Sequence, residues 1–314
     1  MYTRREFGTL ALAAGLVRLK PDTPVEAAIN STVNGVHLGV QTYSFRDLPR
    51  PAGAADSVDV VINAMKASGL GECELFSPQL EPQLSSGGRG ARGAPPTPEQ
   101  LKAREDLRKW RLESSLDHFK NARRKFDEAG ITITAYCYNM NASFTDAEID
   151  RGFEMTKALG TDIMTTSTQM DVAKRIAPLA EKHKVVVGLH GHANIRDPNE
   201  FATPESFATA MKMSKYFKVN LDIGHFTAAG FDPVPYIREH HGAITNLHIK
   251  DMLRLQPESY VPWGQGDAPI KEVLQLLKKE RWPIPVDIEY EYRGTGTSPE
   301  EVKKCYEYAR QALA

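Results

Sequence analysis

Four short segments in the second half of the chain each run from apolar, strand-like residues into side chains that commonly bind metal ions. They are residues 185–192 (VVVGLHGH), 219–225 (VNLDIGH), 244–251 (ITNLHIKD) and 286–291 (VDIEYE). If they are strands of a parallel barrel, their C-terminal ends meet at one mouth, where such barrels build active sites. This predicts a mixed nitrogen and oxygen site for one divalent metal. The candidate ligands are His190, Asp222, His248 and Glu289.

Asp222 ends its apolar segment, and His225 follows three residues later, after Gly224. A carboxylate at a buried strand end is costly unless a cation or hydrogen bonds compensate its charge. This favours metal binding by Asp222. The alternative is that Asp222 caps the following helix and that His225 is a packed loop residue.

His248 and Lys250 lie two residues apart, so a strand directs both side chains to the same face. Neutral imidazole is a good ligand for manganese, iron, cobalt or zinc. The Lys250 ammonium could stabilise an oxyanion that develops on a sugar. The alternative is a surface strand end at which Lys250 pairs with a carboxylate.

Glu289 and Glu291 also share a face. We expect Glu289 to bind the metal, because an unpaired inward charge would be costly, whereas Glu291 either contacts substrate or pairs with Arg293. His190 and His192 are likewise two residues apart. Either one binds metal while the other contacts substrate, or both form a hydrogen-bonded pair that supports the mouth.

Polar and aromatic residues near other strand ends are candidates for recognising sugar hydroxyls. Gln41 and Tyr43 end the first predicted strand, and Glu74 ends the second. Trp263 lies in a glycine-containing turn after the seventh strand, where it could lie against a sugar ring or anchor the loop. Together these residues would form the polar, aromatic-lined cup that a sugar requires.

Predicted strands and helices alternate from residue 36 to the C-terminus. The strands are 36–43, 71–76, 131–138, 162–167, 185–190, 217–222, 244–249 and 285–290. The helices are 57–68, 114–129, 146–159, 172–183, 204–214, 233–240, 270–279 and 298–313. This alternation implies parallel strands with helical crossovers, and eight units favour a closed (β/α)8 TIM barrel. The glycine-rich phosphate turn of dinucleotide-binding folds does not follow the first strand.

One stretch interrupts the alternation. Residues 77–97 are rich in proline, glycine, serine and arginine, and residues 98–113 are charged and helix-prone. Long loops on the mouth side of a barrel are either functional lids or disordered insertions. Leu107, Trp110 and Leu112 give the helical part apolar surface to bury, which favours an ordered lid. We therefore predict a single barrel domain over residues 28–314 with an insertion at about 77–113.

The composition excludes several classes of protein. The net charge of −1 argues against nucleic-acid binding, which usually shows a strong basic bias. No apolar run reaches the roughly 20 residues that a membrane span needs. Cys73, Cys137 and Cys305 are predicted as buried thiols, and their odd number rules out a fully paired disulfide framework. The expected partner is a small sugar, and homo-oligomerisation stays open.

The N-terminus resembles a twin-arginine export signal. Arg4 and Arg5 precede Phe7 and a weakly apolar stretch over residues 8–17, and residues 25–27 form a candidate cleavage site. The alternative is the basic start of an amphipathic helix. The export interpretation predicts that residues 1–27 are a signal segment and that the protein is periplasmic or otherwise extracytoplasmic.

From about residue 36 onwards the chain resembles the xylose-isomerase-like barrel family of sugar phosphate isomerases and epimerases. The motifs that carry the resemblance are LDIGH (221–225), HIKD (248–251), GQGD (264–267) and IEYE (288–291). In that family a divalent metal, often manganese, is held by a Glu, an Asp, a His and a Glu after strands five to eight. The resemblance implies that Asp222, His248 and Glu289 are metal ligands and that His225 contacts substrate. Cobalt, iron, zinc or magnesium are alternatives to manganese.

The chain departs from the family at strand five. Ketose epimerases have Glu-x-His or Glu-x-Asn there, whereas this chain has His190, Gly191 and His192. In those epimerases the glutamates of strands five and eight bind metal and move protons on opposite faces of the sugar. A histidine in place of one glutamate weakens the case for a symmetric two-glutamate epimerase and suits proton abstraction by one base.

The resulting hypothesis is a metal-dependent enzyme of the sugar isomerase/epimerase type that removes a proton next to a carbonyl. Glu289 or His190 would move this proton, and Lys250 and His225 would hold the enediolate. One alternative is a metal-dependent lyase or hydrolase that cleaves 3-keto-glycosides at the same site. Another is a catalytically idle sugar-binding barrel. A DNA-repair endonuclease is disfavoured, because it needs several zinc ions and a basic groove.

Overall fold

Eight parallel strands close into a barrel, which confirms the predicted (β/α)8 fold. The computed structural model describes residues 27–83 and 95–314. The barrel strands are β2 (Val36–Gln41), β3 (Glu72–Phe76), β4 (Thr132–Cys137), β5 (Ile163–Ser167), β6 (Val186–His190), β7 (Phe217–Asp222), β8 (Ile244–Ile249) and β11 (Val286–Ile288). Each pairs in parallel with its neighbours, and the pairing of β2 with β3 closes the circle.

Helices connect the strands, and most of them cover the outside of the barrel. They are α1 (Val58–Ser68), α2 (Pro98–Glu113), α3 (Leu116–Glu128), α4 (Asp146–Ala158), α5 (Met170–His183), α6 (Pro204–Met211), α7 (Ile223–Ala228), α8 (Pro233–His240), α9 (Ile270–Glu280) and α10 (Ser298–Leu313). Short 3₁₀ turns span Thr42–Phe45, Ser77–Gln79 and His241–Ala243. In the described part of the chain, none of the helices has the length and apolar character needed to cross a bilayer.

Polar side chains occupy the inner face of the barrel, at alternate positions along several strands. Asn220 precedes Asp222 by two residues on β7, and Asn246 precedes His248 by two on β8, so each pair shares a face. Asp222 lies beside His248 in the register of these strands. A Cβ atom on Gly188 would come within 2.5 Å of Thr245 Oγ1, so a glycine is needed to leave room for this layer.

Four short elements were not predicted from the sequence: three of them lie at the mouth and one lies at the opposite end of the barrel. Helix α7 begins directly after β7, and a two-stranded ribbon of β9 (Asp251–Met252) and β10 (Tyr260–Val261) follows β8. At the opposite, N-terminal side, strand β1 (Thr32–Val33) forms a hairpin with β2. The ribbon brings Tyr260 over the mouth.

The insertion is anchored by its helix to the side of the barrel. Thr97 caps α2, and Arg111 lies 2.7 Å from Glu81 and 3.3 Å from Glu148, which belongs to α4. The Arg111 guanidinium also lies 4.4 Å from the ring centre of Phe144. Residues 84–94 of the insertion lie outside the described residues, so the lid remains a prediction.

The predicted export signal also lies almost wholly outside the described residues, since these begin at residue 27. Export therefore remains a prediction. The three cysteines are buried, as predicted, and all three are free.

Candidate active site

The four predicted metal ligands converge at the C-terminal mouth of the barrel. His190, Asp222, His248 and Glu289 each offer one ligand atom, and these atoms all lie within 4.8 Å of one another. All four side chains are buried. His190, Asp222 and His248 lie on β6, β7 and β8, and Glu289 directly follows β11; these four strands are consecutive neighbours in the barrel.

Asp222 has two roles in the structure. Its Oδ1 accepts the backbone N–H of His225 at 2.8 Å and so caps α7, which is the alternative considered for this residue. Its Oδ2 is buried and accepts no well-directed hydrogen bond, although the Lys250 ammonium lies 3.0 Å away. Because a buried carboxylate oxygen without a directed donor is costly, this atom fits the position of a metal ligand.

His248 lies between two carboxylates. Its Nε2 is 2.9 Å from Glu74 Oε2, and its Nδ1 is 2.9 Å from Glu289 Oε2. Burial alone would lower the pKa of His248, but the two carboxylates outweigh it and raise this pKa well above its ordinary value. Without a bound metal the imidazole is therefore protonated and itself serves as a cation in the site.

Lys250 is the second cation of the site. Its Nζ lies 3.0 Å from Asp222 Oδ2 and 2.8 Å from Glu289 Oε2, and it also pairs with Glu291. These three carboxylates overcome the effect of burial and raise the pKa of Lys250 well above its ordinary value. Glu291 thus pairs with Lys250, whereas a pair with Arg293 was the predicted alternative.

Glu289 is held ionised by its neighbours. Burial raises its pKa, but Lys250 and His248 more than reverse this effect and hold the pKa well below its ordinary value. By contrast, burial and the charge of Glu289 raise the pKa of Glu291. The two carboxylates of this strand end therefore differ in proton affinity.

Three histidines line one side of the mouth: His190, His192 and His225. Burial lowers the pKa of each. The charge of His248 lowers the pKa of His190 further, and the charge of Lys250 lowers the pKa of His225 further. The pKa of His192 falls to about 3. All three imidazoles are neutral at neutral pH. His190 Nδ1 lies 2.6 Å from Asn220 Oδ1, which leaves Nε2 facing Asp222 at 3.9 Å.

Glu74 lies below the mouth and is 0% exposed. Oε1 accepts hydrogen bonds from Gln41 and from Thr165, the latter at 2.7 Å, and Oε2 accepts from Asn246 and lies beside His248. These contacts involve both oxygens and place Glu74 next to His248 at the floor of the cavity that it helps to line, so its role in binding sugar stays a prediction.

A cavity of about 320 Å³ lies above these residues. Its volume suits a small molecule. The predicted site residues that line it are Gln41, Tyr43, Glu74, His190, His192, His225, His248, Lys250, Glu289 and Glu291. Tyr43 is half-buried beside Phe76, with the rings 5.1 Å apart.

Trp263 does not line this cavity. Its ring packs edge-on against Tyr308 of α10, with ring centres 5.8 Å apart, and it lines a separate cavity with Tyr292 and Arg293. The physical reason is that Asp251 accepts the backbone N–H groups of Gly264 and neighbouring residues, which fixes the course of the loop. The loop-anchor alternative describes this position.

Sequence reasoning missed several residues of the site. Asn220 and Asn246 precede predicted ligands by two positions, and this spacing could have identified them. Asn139, Ser167 and Tyr260 also line the cavity. Tyr260 comes from the ribbon, for which the sequence carried no recognisable signal.

The donor set fits a divalent metal. Two imidazoles and two carboxylates suit manganese, iron, cobalt or zinc, and Asp222 Oδ2 is a buried oxygen without a directed hydrogen bond. His190 and His248 each have one nitrogen held by a partner deeper in the barrel, which orients the other nitrogen. His190, Asp222, His248 and Glu289 could therefore hold the ion together.

Comparison with known proteins identifies the family of this architecture. A family model described as a xylose isomerase-like TIM barrel matches residues 89–312. No curated protein sequence matches the chain significantly.

Solved structures share the fold at low sequence identity. A sugar phosphate isomerase/epimerase from Parabacteroides distasonis is 18% identical, with a TM-score of 0.56, 92% of this chain covered and 99% of that chain. A 3-keto-D-glucoside 4-epimerase from E. coli is 11% identical, with a TM-score of 0.57 and coverage of 88% and 99%. The IolI protein, solved with a bound zinc atom, is 18% identical, with a TM-score of 0.55 and coverage of 88% and 95%.

Proposed function

Because the chain belongs to the xylose isomerase-like TIM-barrel family, we propose that it is a divalent-metal-dependent enzyme of the isomerase/epimerase type. Its substrate would be a sugar or keto-sugar, and the reaction would begin with proton abstraction next to a carbonyl. The observation that carries this proposal is the convergence of His190, Asp222, His248 and Glu289, with ligand atoms within 4.8 Å of one another, below a cavity of about 320 Å³.

The proposed roles follow from the charges of the site. A divalent ion held by this set, manganese in the first instance, would polarise the carbonyl and the adjacent hydroxyl of the substrate. Glu289 is ionised and lines the cavity, so it can accept the α-proton. Lys250 keeps its positive charge and can stabilise the oxygen on which negative charge develops.

The two sides of the mouth differ chemically. The segment that follows β11 supplies the carboxylates Glu289 and Glu291, whereas the end of β6 and the loop after it supply the neutral imidazoles of His190 and His192. This asymmetry supports chemistry with a single carboxylate base. The base would take a proton from one carbon and return it either to the neighbouring carbon or to an oxygen.

The same asymmetry favours a second candidate, the cleavage of 3-keto-glycosides. In that reaction Glu289 takes the proton next to the keto group, the bond from the β-carbon to the glycosidic oxygen breaks, and the proton passes to the departing oxygen. Isomerisation and elimination share the first step. They differ in whether the β-substituent leaves.

The test combines metal analysis with solvent isotope exchange. Purified protein is loaded with Mn²⁺, and keto-sugars and 3-keto-glycosides are incubated in D₂O and followed by NMR. Deuterium at the carbon next to the carbonyl indicates the shared first step, and release of an aglycone indicates elimination. Glu289→Gln should abolish deuterium incorporation and aglycone release and should weaken Mn²⁺ binding. The surface control Glu307→Gln, whose side chain is 45% exposed, should leave all three unchanged.

Sugar binding without deuterium incorporation would overturn the enzymatic proposal in favour of a non-catalytic sugar-binding barrel. Absence of stoichiometric metal in both the wild-type protein and the Glu289→Gln variant, even after supplementation, would overturn the metal dependence.

A further inference from the structure

A second group of possible metal ligands lies beside the mixed site and consists of imidazoles alone. His190, His192 and His225 each offer a ring nitrogen, and these nitrogens all lie within 4.8 Å of one another. Ring centres are 5.1 Å apart between His190 and His192, 5.1 Å between His192 and His225, and 6.0 Å between His190 and His225. The three rings therefore surround one point at the side of the cavity.

His225 has a nitrogen that the protein leaves unpaired. Its Nδ1 is buried and has no hydrogen-bond partner. Its Nε2 lies within hydrogen-bond distance of Lys250 Nζ, at 3.5 Å, so Nδ1 is the nitrogen that remains free for another ligand. A buried polar nitrogen without a partner is costly, and a bound cation would remove that cost.

His190 and His192 each have one ring nitrogen held by a neighbouring polar side chain. Asn220 binds Nδ1 of His190, so its Nε2 is the nitrogen turned towards the mouth. His192 is half-buried at the cavity wall, with Nε2 3.3 Å from Ser167 Oγ. The cavity gives an ion and its water ligands access to both rings.

We propose that His190, His192 and His225 form a second metal site, specific for ions that prefer nitrogen ligands, such as Zn²⁺, Ni²⁺ or Cu²⁺. Three neutral imidazoles with an open position make up a ligand set that zinc adopts in proteins. The mixed set contains two carboxylates and suits manganese better, because carboxylate oxygens are harder ligands. Different ions would thus select different sides of the same mouth.

The two sites share one residue. One nitrogen of His190 binds a single ion at a time, and Asn220 holds the other nitrogen. An ion at the three-histidine site therefore removes His190 from the mixed set. This inference goes beyond the proposed function and rests on it only through the shared His190.

The test measures metal binding and does not depend on sugar turnover. Zn²⁺ is titrated calorimetrically into chelator-treated Glu289→Gln protein, in which the mixed set is impaired. We expect one zinc ion per chain, and His192→Asn or His225→Asn in the same background should weaken it at least ~10-fold, because even the hydrogen-bonding partners of ligands contribute 10- to 100-fold. If the variant of the buried His225 does not fold, the variant of the half-buried His192 still provides the test.

Surface histidines provide the control. His240 and His241 are adjacent and lie outside the mouth, and His240→Ala/His241→Ala should leave the zinc affinity unchanged. The proposal would be overturned if His192→Asn and His225→Asn bound zinc as tightly as the Glu289→Gln protein. It would also be overturned if only the His240→Ala/His241→Ala variant lost zinc. Failure of Glu289→Gln to weaken Mn²⁺ binding in the first place would count against the proposed function instead.

Discussion

The Glu74 carboxylate lies 2.9 Å from Nε2 of His248, although the two residues are 174 positions apart in the sequence. Glu74 is completely buried, and its remaining contacts are to Gln41, Thr165 and the asparagines of the inner layer. This pair fixes which nitrogen of His248 faces the mouth. Nδ1 of His248 therefore faces Glu289 and the candidate metal position.

Glu74→Gln should weaken Mn²⁺ binding about 10- to 100-fold, because outer partners of metal-binding histidines contribute this much to affinity. Calorimetric titration of the ion-free protein measures the effect. The matched control is Glu72→Gln, which removes a similar Glu–His contact on the same strand, 2.8 Å to His37, but away from the mouth. Equal losses in the two variants would show that Glu74 acts only through general stability.

Metal binding should release a proton from His248. The carboxylates on either side raise the pKa of His248 well above its ordinary value, so the ion-free imidazole is protonated at neutral pH, whereas a ligand must be neutral. The apparent affinity for Mn²⁺ should therefore rise with pH until the pKa of folded His248 is reached. Calorimetry in two buffers of different ionisation enthalpy counts the protons, and a count of zero at pH 7 would contradict the prediction.

Lys250→Met should destabilise the ion-free protein by roughly 3–5 kcal/mol, because it leaves buried carboxylates without their cation. Asp222 and Glu289 are the most affected, at 3.0 and 2.8 Å from Nζ. Mn²⁺ should then raise the melting temperature more in this variant than in the wild type, since the ion replaces the lost charge.

Lys304→Met is the comparison for this experiment. Lys304 pairs with Glu301, but its side chain is 59% exposed, so its loss should destabilise the protein much less than the loss of Lys250, because water screens exposed ion pairs. Similar melting temperatures for the two variants without metal would contradict the assigned role of Lys250.

Asp287 should make the stability of the ion-free protein depend on pH. Burial and the nearby charge of Glu74 raise the pKa of Asp287 to about 7, whereas an unfolded aspartate titrates near 4. The folded state therefore holds a proton that the unfolded state has lost, and stability falls as pH rises from about 4 to about 7. Asp287→Asn should remove up to roughly 4 kcal/mol of this dependence.

Urea unfolding of both proteins at a series of pH values tests this prediction, and the informative quantity is their difference in unfolding free energy. As pH rises from about 4 to about 7, the Asp287→Asn variant should become more stable relative to the wild type. The exposed control Asp59→Asn should show no such trend. A constant difference between Asp287→Asn and the wild type would show that Asp287 is ionised in the folded protein throughout.

The strand and helix pattern could be predicted closely from local signals. Strands 217–222 and 244–249 and helices 233–240 and 298–313 have the predicted bounds, because each combines an apolar run with clear terminal residues. The last barrel strand is shorter than predicted and covers only Val286–Ile288. Its ladder with β2 and β8 ends there, which periodicity does not reveal.

The sequence by itself determined that four metal-type residues stand at strand ends, and barrel closure is enough to bring strand ends to one mouth. Only the tertiary structure decided which side chains pair. The contacts of Glu74 with His248 and of Lys250 with three carboxylates depend on the register of strands far apart in the chain. Likewise, the turn of Trp263 away from the cavity depends on Asp251 binding its loop. Hydrophobic periodicity specifies where a strand lies and which face is buried, but it carries no information about these side-chain partners.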